Sequence, residues 1–185
     1  MMMRLSLKKS WRKQRGFTLI EIMIAMLVML VGLVAVAQLV PAAIRLNSAN
    51  RYDSTALVIA QRQMEAMLNQ PLTANAFTDP QGILCPAGNS CNLGNPATPN
   101  QVVGSPVVWP NNRPLINFTA APVANYNFTF TDPNDPSGVS YDIRWAVITL
   151  VNVTTPTGKR FIVGVRRRGG NAPLQAVTLD SMLEK

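Results

Sequence analysis

No histidine occurs anywhere in the 185 residues. That absence removes the commonest general base, the commonest metal ligand, and every Ser/His or Cys/His nucleophile arrangement. Charge is also sparse: charged residues make up 14% of the chain, with only nine acids against 17 bases. No paired acid/base constellation stands out, so no catalytic residues, no cofactor and no metal are expected. Cysteine is limited to two positions, Cys85 and Cys91, which excludes a cysteine-only zinc site.

The basic excess is unevenly placed. Arg4, Lys8, Lys9, Arg12, Lys13 and Arg15 fall within the first sixteen residues, where there is no acid, and the remainder holds 11 bases against nine acids. The formal net charge of +8 therefore belongs mostly to the amino-terminal segment, not to a nucleic-acid-binding head.

From Phe17 to Val40 the chain is almost wholly apolar, interrupted by Thr18, Glu21, Gly32 and Gln38. A helix of about 24 residues spans about 36 Å, enough to cross a bilayer. The six leading bases set the amino terminus on the cytoplasmic side and the rest of the chain outside. Outside the cytoplasm, the C-x5-C pair in "CPAGNSC" is better read as a small disulfide loop than as two free thiols or half a metal site. A loop so short shapes its surroundings more than it stabilises the whole. Met23, Met26 and Met29 are read as adaptable packing.

The lone carboxylate of Glu21 is the anomaly. An acid inside the membrane costs about 2.5–3.5 kcal/mol on insertion scales, and nothing nearby neutralises it. The residues around it, "RGFTLIE" from Arg15 to Glu21, resemble the leader junction of type IV prepilins. The resemblance implies that a prepilin peptidase cuts between Gly16 and Phe17, that the new amine of Phe17 is methylated, and that Glu21 then attracts the amino terminus of a neighbouring subunit during assembly. Cleavage would thus create the cation that Glu21 lacks.

Beyond Pro41, "AAIRLNSANRYDSTALVIAQRQMEAMLNQP" turns amphipathic, with Ala56, Ile59, Ala60, Met64, Met67 and Leu68 at helical spacing. Pro41 is expected to kink or break the helix at the membrane surface, and Pro71 to mark the stop. Residues 71–136 hold eleven of the 14 prolines and read as a loop-rich region with short strands around "SPVVWP" and "YNFTF". "VSYDIRWAVITLVNVTTPTGKRFIVGVRRR" reads as an antiparallel hairpin turning at Pro156 and Gly158. By the period of two, Tyr141, Ile143, Trp145, Val147, Thr149 and Val151 share a face with Phe161, Val163 and Val165, and that face is expected to cover the amphipathic helix. "LQAVTLDSML" adds an edge strand.

The fold class expected is α+β, a pilin-like lollipop with a long helix packed on an antiparallel β-sheet head. Its expected parts are a cleaved basic leader (1–16), a transmembrane or filament-core helix (17–40), an amphipathic half (41–70) and a β-rich head outside the inner membrane (71–185). "YDIRWAVITL", "KRFIVGVRRR" and the terminal "VTL" also resemble PilV-type minor pilins, the type IV pilus modification proteins. That resemblance implies a single-pass inner-membrane subunit with its head in the periplasm, later carried to the pilus and cell surface. The partners it implies are prepilin peptidase, the major pilin, other minor pilins, the assembly platform and membrane lipid before assembly. A major pilin, a type II secretion pseudopilin and a DNA-uptake or adhesion pilin share this leader chemistry.

Three weaker features complete the sequence. Arg166, Arg167 and Arg168 form a basic run that suits a solvated strand end better than DNA phosphates. Asp132, Asn134 and Asp135 offer oxygen ligands suited to calcium, but a turn explains them better. The N-x-T triplets at Asn117, Asn127 and Asn152 carry no assigned function.

Overall fold

The computed structural model describes residues 16–133, 138–152, 155–169 and 176–184. The fold is α+β: one long helix and an antiparallel sheet. The chain divides into two units between Asn47 and Ser48.

In the first unit, helix α1 begins at Leu19, and it continues without interruption to Leu68 in the second. Its apolar side chains from Leu19 to Leu46 are exposed on every side, as suits a helix whose surroundings are themselves apolar. It is the one helix among the described residues long and apolar enough to cross a membrane. Pro41 lies inside α1, so of the kink or break expected there the break does not occur. A proline removes one backbone hydrogen bond, a local loss that the neighbouring turns of a long helix can outlast.

The second unit contains the remainder of α1 and the head. Here α1 buries Ala56, Ile59, Ala60, Gln63, Met64 and Met67, one stripe at spacings of three and four. Leu68 is only half-buried, and Gln63 joins the stripe in its place. Neither polar atom of the Gln63 amide has a hydrogen-bond partner among the described residues. The stripe packs on a five-stranded antiparallel sheet. Strands β7 (Ser140–Asn152) and β8 (Thr155–Arg168) form its centre, with β9 (Val177–Glu184) on the far side of β8. The other edge of β7 is shared, β6 (Asn127–Thr131) covering Ser140–Arg144 and β3 (Val102–Gly104) covering Ala146–Ile148.

The alternation expected from the sequence sets the faces. Tyr141, Ile143, Trp145, Val147, Phe161, Val163 and Val165 are buried together against Ala56, Ile59, Ala60, Met64 and Met67. Burying side chains of this size stabilises by about 1.5–3 kcal/mol each. Trp145 is fully buried, its indole N–H donating to the carbonyl of Asn92 at 2.8 Å and its ring flanked by Tyr126 and Phe128. A buried tryptophan needs such a partner for its polar edge.

The hairpin turns earlier than the sequence suggested. Pro156 and Gly158 lie inside β8, opposite Val151 and Leu150, and the register shifts between those two residues. Such an irregularity is where a strand tolerates a proline, which cannot donate to the ladder.

Residues 71–133 contribute more order than their composition suggests. Strands β1 (Ala76–Thr78) and β2 (Ser90–Asn92) pair with each other, as do β4 (Val107–Val108) and β5 (Leu115–Ile116). The β4–β5 pair covers the outer face of the central sheet, where Ile116 and Phe118 bury Ala146 and Ile162. Gly164 makes this second core possible, because a Cβ there would lie 2.6 Å from Cβ of Ile116. Gly104 has a similar role, with φ of +114° and Tyr126 against its α-carbon.

Among the described residues one basic side chain is fully buried on the inner face. It is Lys159, in phase with Phe161, and its Nζ donates to the carbonyl of Ala74. Burial pushes its ammonium below the usual value.

Two stability predictions follow from this packing. Gly164→Ala is expected to destabilise the head by about 1–3 kcal/mol through overpacking against Ile116, read by denaturant unfolding monitored through Trp145 fluorescence. For Lys159, the unfolded chain binds more protons than the native chain between the lowered pKa and the ordinary one, so stability rises with pH across that window. Unfolding midpoints measured from neutral to about pH 10 should rise in the wild type, and the rise should be absent in Lys159→Met.

Candidate functional site

The amino-terminal junction is built by a helix start. Gly16, Phe17 and Thr18 lie outside α1, and Leu19 opens it. Thr18 supplies the cap: its Oγ1 accepts from the Glu21 amide at 3.3 Å, and its carbonyl accepts from the amides of Glu21 and Ile22. The spacing Thr18-x-x-Glu21 is that of a capping box, of which the bond from the Glu21 amide to the Thr18 hydroxyl is formed. An acid in the first turn also meets the positive end of the helix dipole, worth about 0.3–1 kcal/mol.

Position matters as much as capping. Gly16 has no atom near where a Cβ would sit, so the backbone at this point is unobstructed. Phe17 is 79% exposed, and Phe17, Glu21, Ile22, Ala25, Met26 and Met29 line one side of the helix start. The junction therefore presents an accessible peptide bond, an exposed aromatic and a carboxylate set in an apolar stripe. The basic leader itself, residues 1–15, lies outside the described residues.

The head keeps its polar chemistry elsewhere. Cys85 and Cys91 are joined by a disulfide with an S–S distance of 2.04 Å, and both residues are buried. Asp79 organises the approach to that bridge. Its carboxylate accepts from the amides of Gln81 at 3.0 Å, Ile83 at 2.7 Å and Leu84 at 2.7 Å. Burial alone would raise its pKa, but the hydrogen bonds from the amides of Leu84, Gln81, Ile83 and Cys85 outweigh it and hold the carboxyl below the usual range. Sequence inspection had passed over Asp79. The D-P-Q-G turn beginning there was the available signal.

Tyr126 lies beside this region, and burial raises its phenol above the usual value. The opposing hydrogen bonds come from the Gly94 backbone and the Asn92 side chain. Its neighbours Asn75, Asn92, Gly94, Asn95, Thr98 and Val103 complete an uncharged cleft of about 440 Å³.

The arginine run does not form one basic patch, because successive strand residues face opposite ways. Arg166 lies on the outer face over Phe118, with Arg144 over the same ring. Asp142 takes a bidentate bond from Arg144 and a longer ion pair of 3.6 Å from Arg166. Arg167 turns inward to stack on Tyr52 of α1 at 3.8 Å. Arg168 is exposed and donates to Oγ1 of Thr129. Of the acidic turn, Asp132 is described, whereas Asn134 and Asp135 lie outside the described residues. Among the described residues no group of three or more His, Cys, Asp or Glu side chains could hold a metal.

Comparison with known proteins bears on the junction. Residues 11–37 match the family model for a prokaryotic N-terminal methylation motif. No curated protein and no solved structure gives a significant match. The motif supports a prepilin-type, type IV pilin-like chain and implies processing by prepilin peptidase and assembly into pili. Together with the long apolar helix it points to membrane anchoring.

Proposed function

We propose that this chain is a minor pilin, processed by prepilin peptidase between Gly16 and Phe17 and built into a type IV pilus, where it helps initiate assembly or modifies the filament. The observation that carries this reading is the methylation motif over residues 11–37, continued by a helix exposed on all sides. The basic leader (1–16) is removed on the cytoplasmic face. The segment 17–40 is held first in the inner membrane and then in the filament core. The amphipathic half (41–70) carries the head (71–185) in the periplasm and later at the cell surface.

The physical logic lies in one carboxylate. Glu21 in the bilayer costs about 2.5–3.5 kcal/mol. Cleavage generates an ammonium at Phe17, and two opposite charges 4 Å apart attract by about 4 kcal/mol at an effective dielectric of 20. The gain offsets the cost only when both charges are brought together, so a neighbouring subunit's methylated Phe17 amine draws Glu21 into register. Membrane lipid is the partner before assembly, and the assembly platform, major pilin and other minor pilins are the partners during it. The strand sequences resembling PilV-type proteins favour a minor subunit over a type II secretion pseudopilin.

Mass spectrometry of sheared, purified filaments tests the assignment. A peptide beginning with N-methylated Phe17, present well below the major subunit, is the expected result. Processed protein found only in the membrane, with secretion of exoproteins lost on deletion, would favour the pseudopilin instead. Glu21→Ala is expected to leave cleavage largely intact and to lower filament incorporation several-fold, measured by immunoblot of the sheared fraction. Unchanged incorporation would remove the assembly role of Glu21.

A further inference from the structure

The cleft beside Tyr126 is built from groups that the leader junction does not use. Its volume of about 440 Å³ is that of a small-molecule site, and no charged side chain lines it. Backbone bonds fix its walls. The Asn75 carbonyl accepts from the Leu93 amide at 2.8 Å, and Asn92 follows Cys91, which the disulfide holds to Cys85. The Asn100 amide donates to the Thr149 carbonyl at 2.9 Å, which draws the loop containing Asn95 and Thr98 onto β7. The Tyr126 carbonyl accepts from the Trp145 amide at 3.0 Å and from the Ser105 hydroxyl at 3.0 Å. A cleft held in this way is formed before any ligand arrives, which lowers the entropy cost of binding.

The side chains of the walls are partly engaged and partly open. Asn92 is engaged by the Tyr126 phenol. The amide of Asn75 has no hydrogen-bond partner among the described residues, and Asn75 is exposed. Asn95 accepts from the Ala97 amide through Oδ1 at 2.9 Å, which leaves its Nδ2 as a donor. The Thr98 hydroxyl donates to the Asn95 carbonyl at 3.1 Å, which leaves its oxygen as an acceptor. Val103 and the apolar body of Tyr126 complete the lining.

Donors, acceptors and an apolar wall thus converge without charge. A phosphate or carboxylate finds no cation here, and an ammonium finds no acid. An extended peptide needs a row of backbone groups to pair with, whereas these are side chains set around a hollow. A hydroxyl both donates and accepts, as an amide does, so a ring bearing several hydroxyls and an apolar C–H face matches what the walls offer. We propose that this cleft binds a neutral saccharide, its hydroxyls held by Asn75, Asn95 and Thr98 and a C–H face of its ring set against Val103 and Tyr126. The site lies wholly in the head, so it stands or falls separately from leader processing.

The full chain in a polyoxyethylene detergent, which carries no sugar, tests this by heteronuclear NMR with the methyl glycosides of glucose, galactose, mannose and N-acetylglucosamine. At about 100 mM, enough to saturate even a millimolar site, at least one glycoside should shift the side-chain amides of Asn75 and Asn95. The Trp145 indole N–H, bonded to the Asn92 carbonyl at 2.8 Å, should report the same event. Asn95→Asp keeps the acceptor for the Ala97 amide but removes the donor, so affinity should fall by about tenfold or more. Should that variant fail to fold, Asn75→Ala at its exposed position should weaken binding by at least about threefold. Inorganic phosphate should leave all these resonances in place. No shift with any glycoside, undiminished binding by both variants, or an equal response to phosphate would overturn the proposal.

Discussion

Everything in the head rests on the pairing of β7 with β8. These two strands are long enough to be buried on both faces, and each face recruits a different part of the chain. The inner face takes the amphipathic stripe of α1, centred on Trp145 and Phe161. The outer face takes Ile116 and Phe118 from the β4–β5 pair and its following loop. Remove the ribbon and neither the helix nor the proline-rich segment has a surface to bury. It also carries the non-local cost of folding, since β7 must close on β3 and β6 as well as on its own hairpin partner.

That dependence explains what the sequence disclosed. Period-two alternation in "YDIRWAVITL" and "RFIVGV" is a local signal, and it named the inner face residue by residue. Lys159, two residues before Phe161 and in phase with it, was passed over, because a charged residue invites the opposite assignment. The outer core was illegible, because it joins Ile116 and Phe118 to Gly164 across some fifty residues of chain and shows only in three dimensions. The hairpin turn was misplaced for a related reason. Proline and glycine signal a turn on local grounds, but a shift in register lets β8 absorb both Pro156 and Gly158.

At the other end of the chain the balance is reversed, and almost everything is local. The apolar run and the acid at Glu21 lie within one stretch and were legible locally, whereas Thr18, noted only as an interruption of that run, emerges as a cap in the structure. A spacing of three between Thr18 and Glu21 starts the helix, and the same Glu21 offers charge to whatever approaches the exposed stripe. Pro41 was read as a kink or a break because its local cost is plain, and in a helix of 50 residues the break does not occur.

The arginines carry a consequence of a different kind. Arg144 and Arg166 stack on Phe118, Arg160 on Trp109 and Arg167 on Tyr52. Beyond Gly16 the chain has nine arginines but only Lys159 and Lys185 as lysines, and Lys159 is buried. The positive charge of the head is therefore almost entirely guanidinium, which stays ionised throughout the physiological pH range. A shift in acidity therefore acts on this head through its carboxylates, Tyr126 and the buried Lys159, not through its guanidinium groups. Reagents that seek primary amines find almost nothing on it to modify.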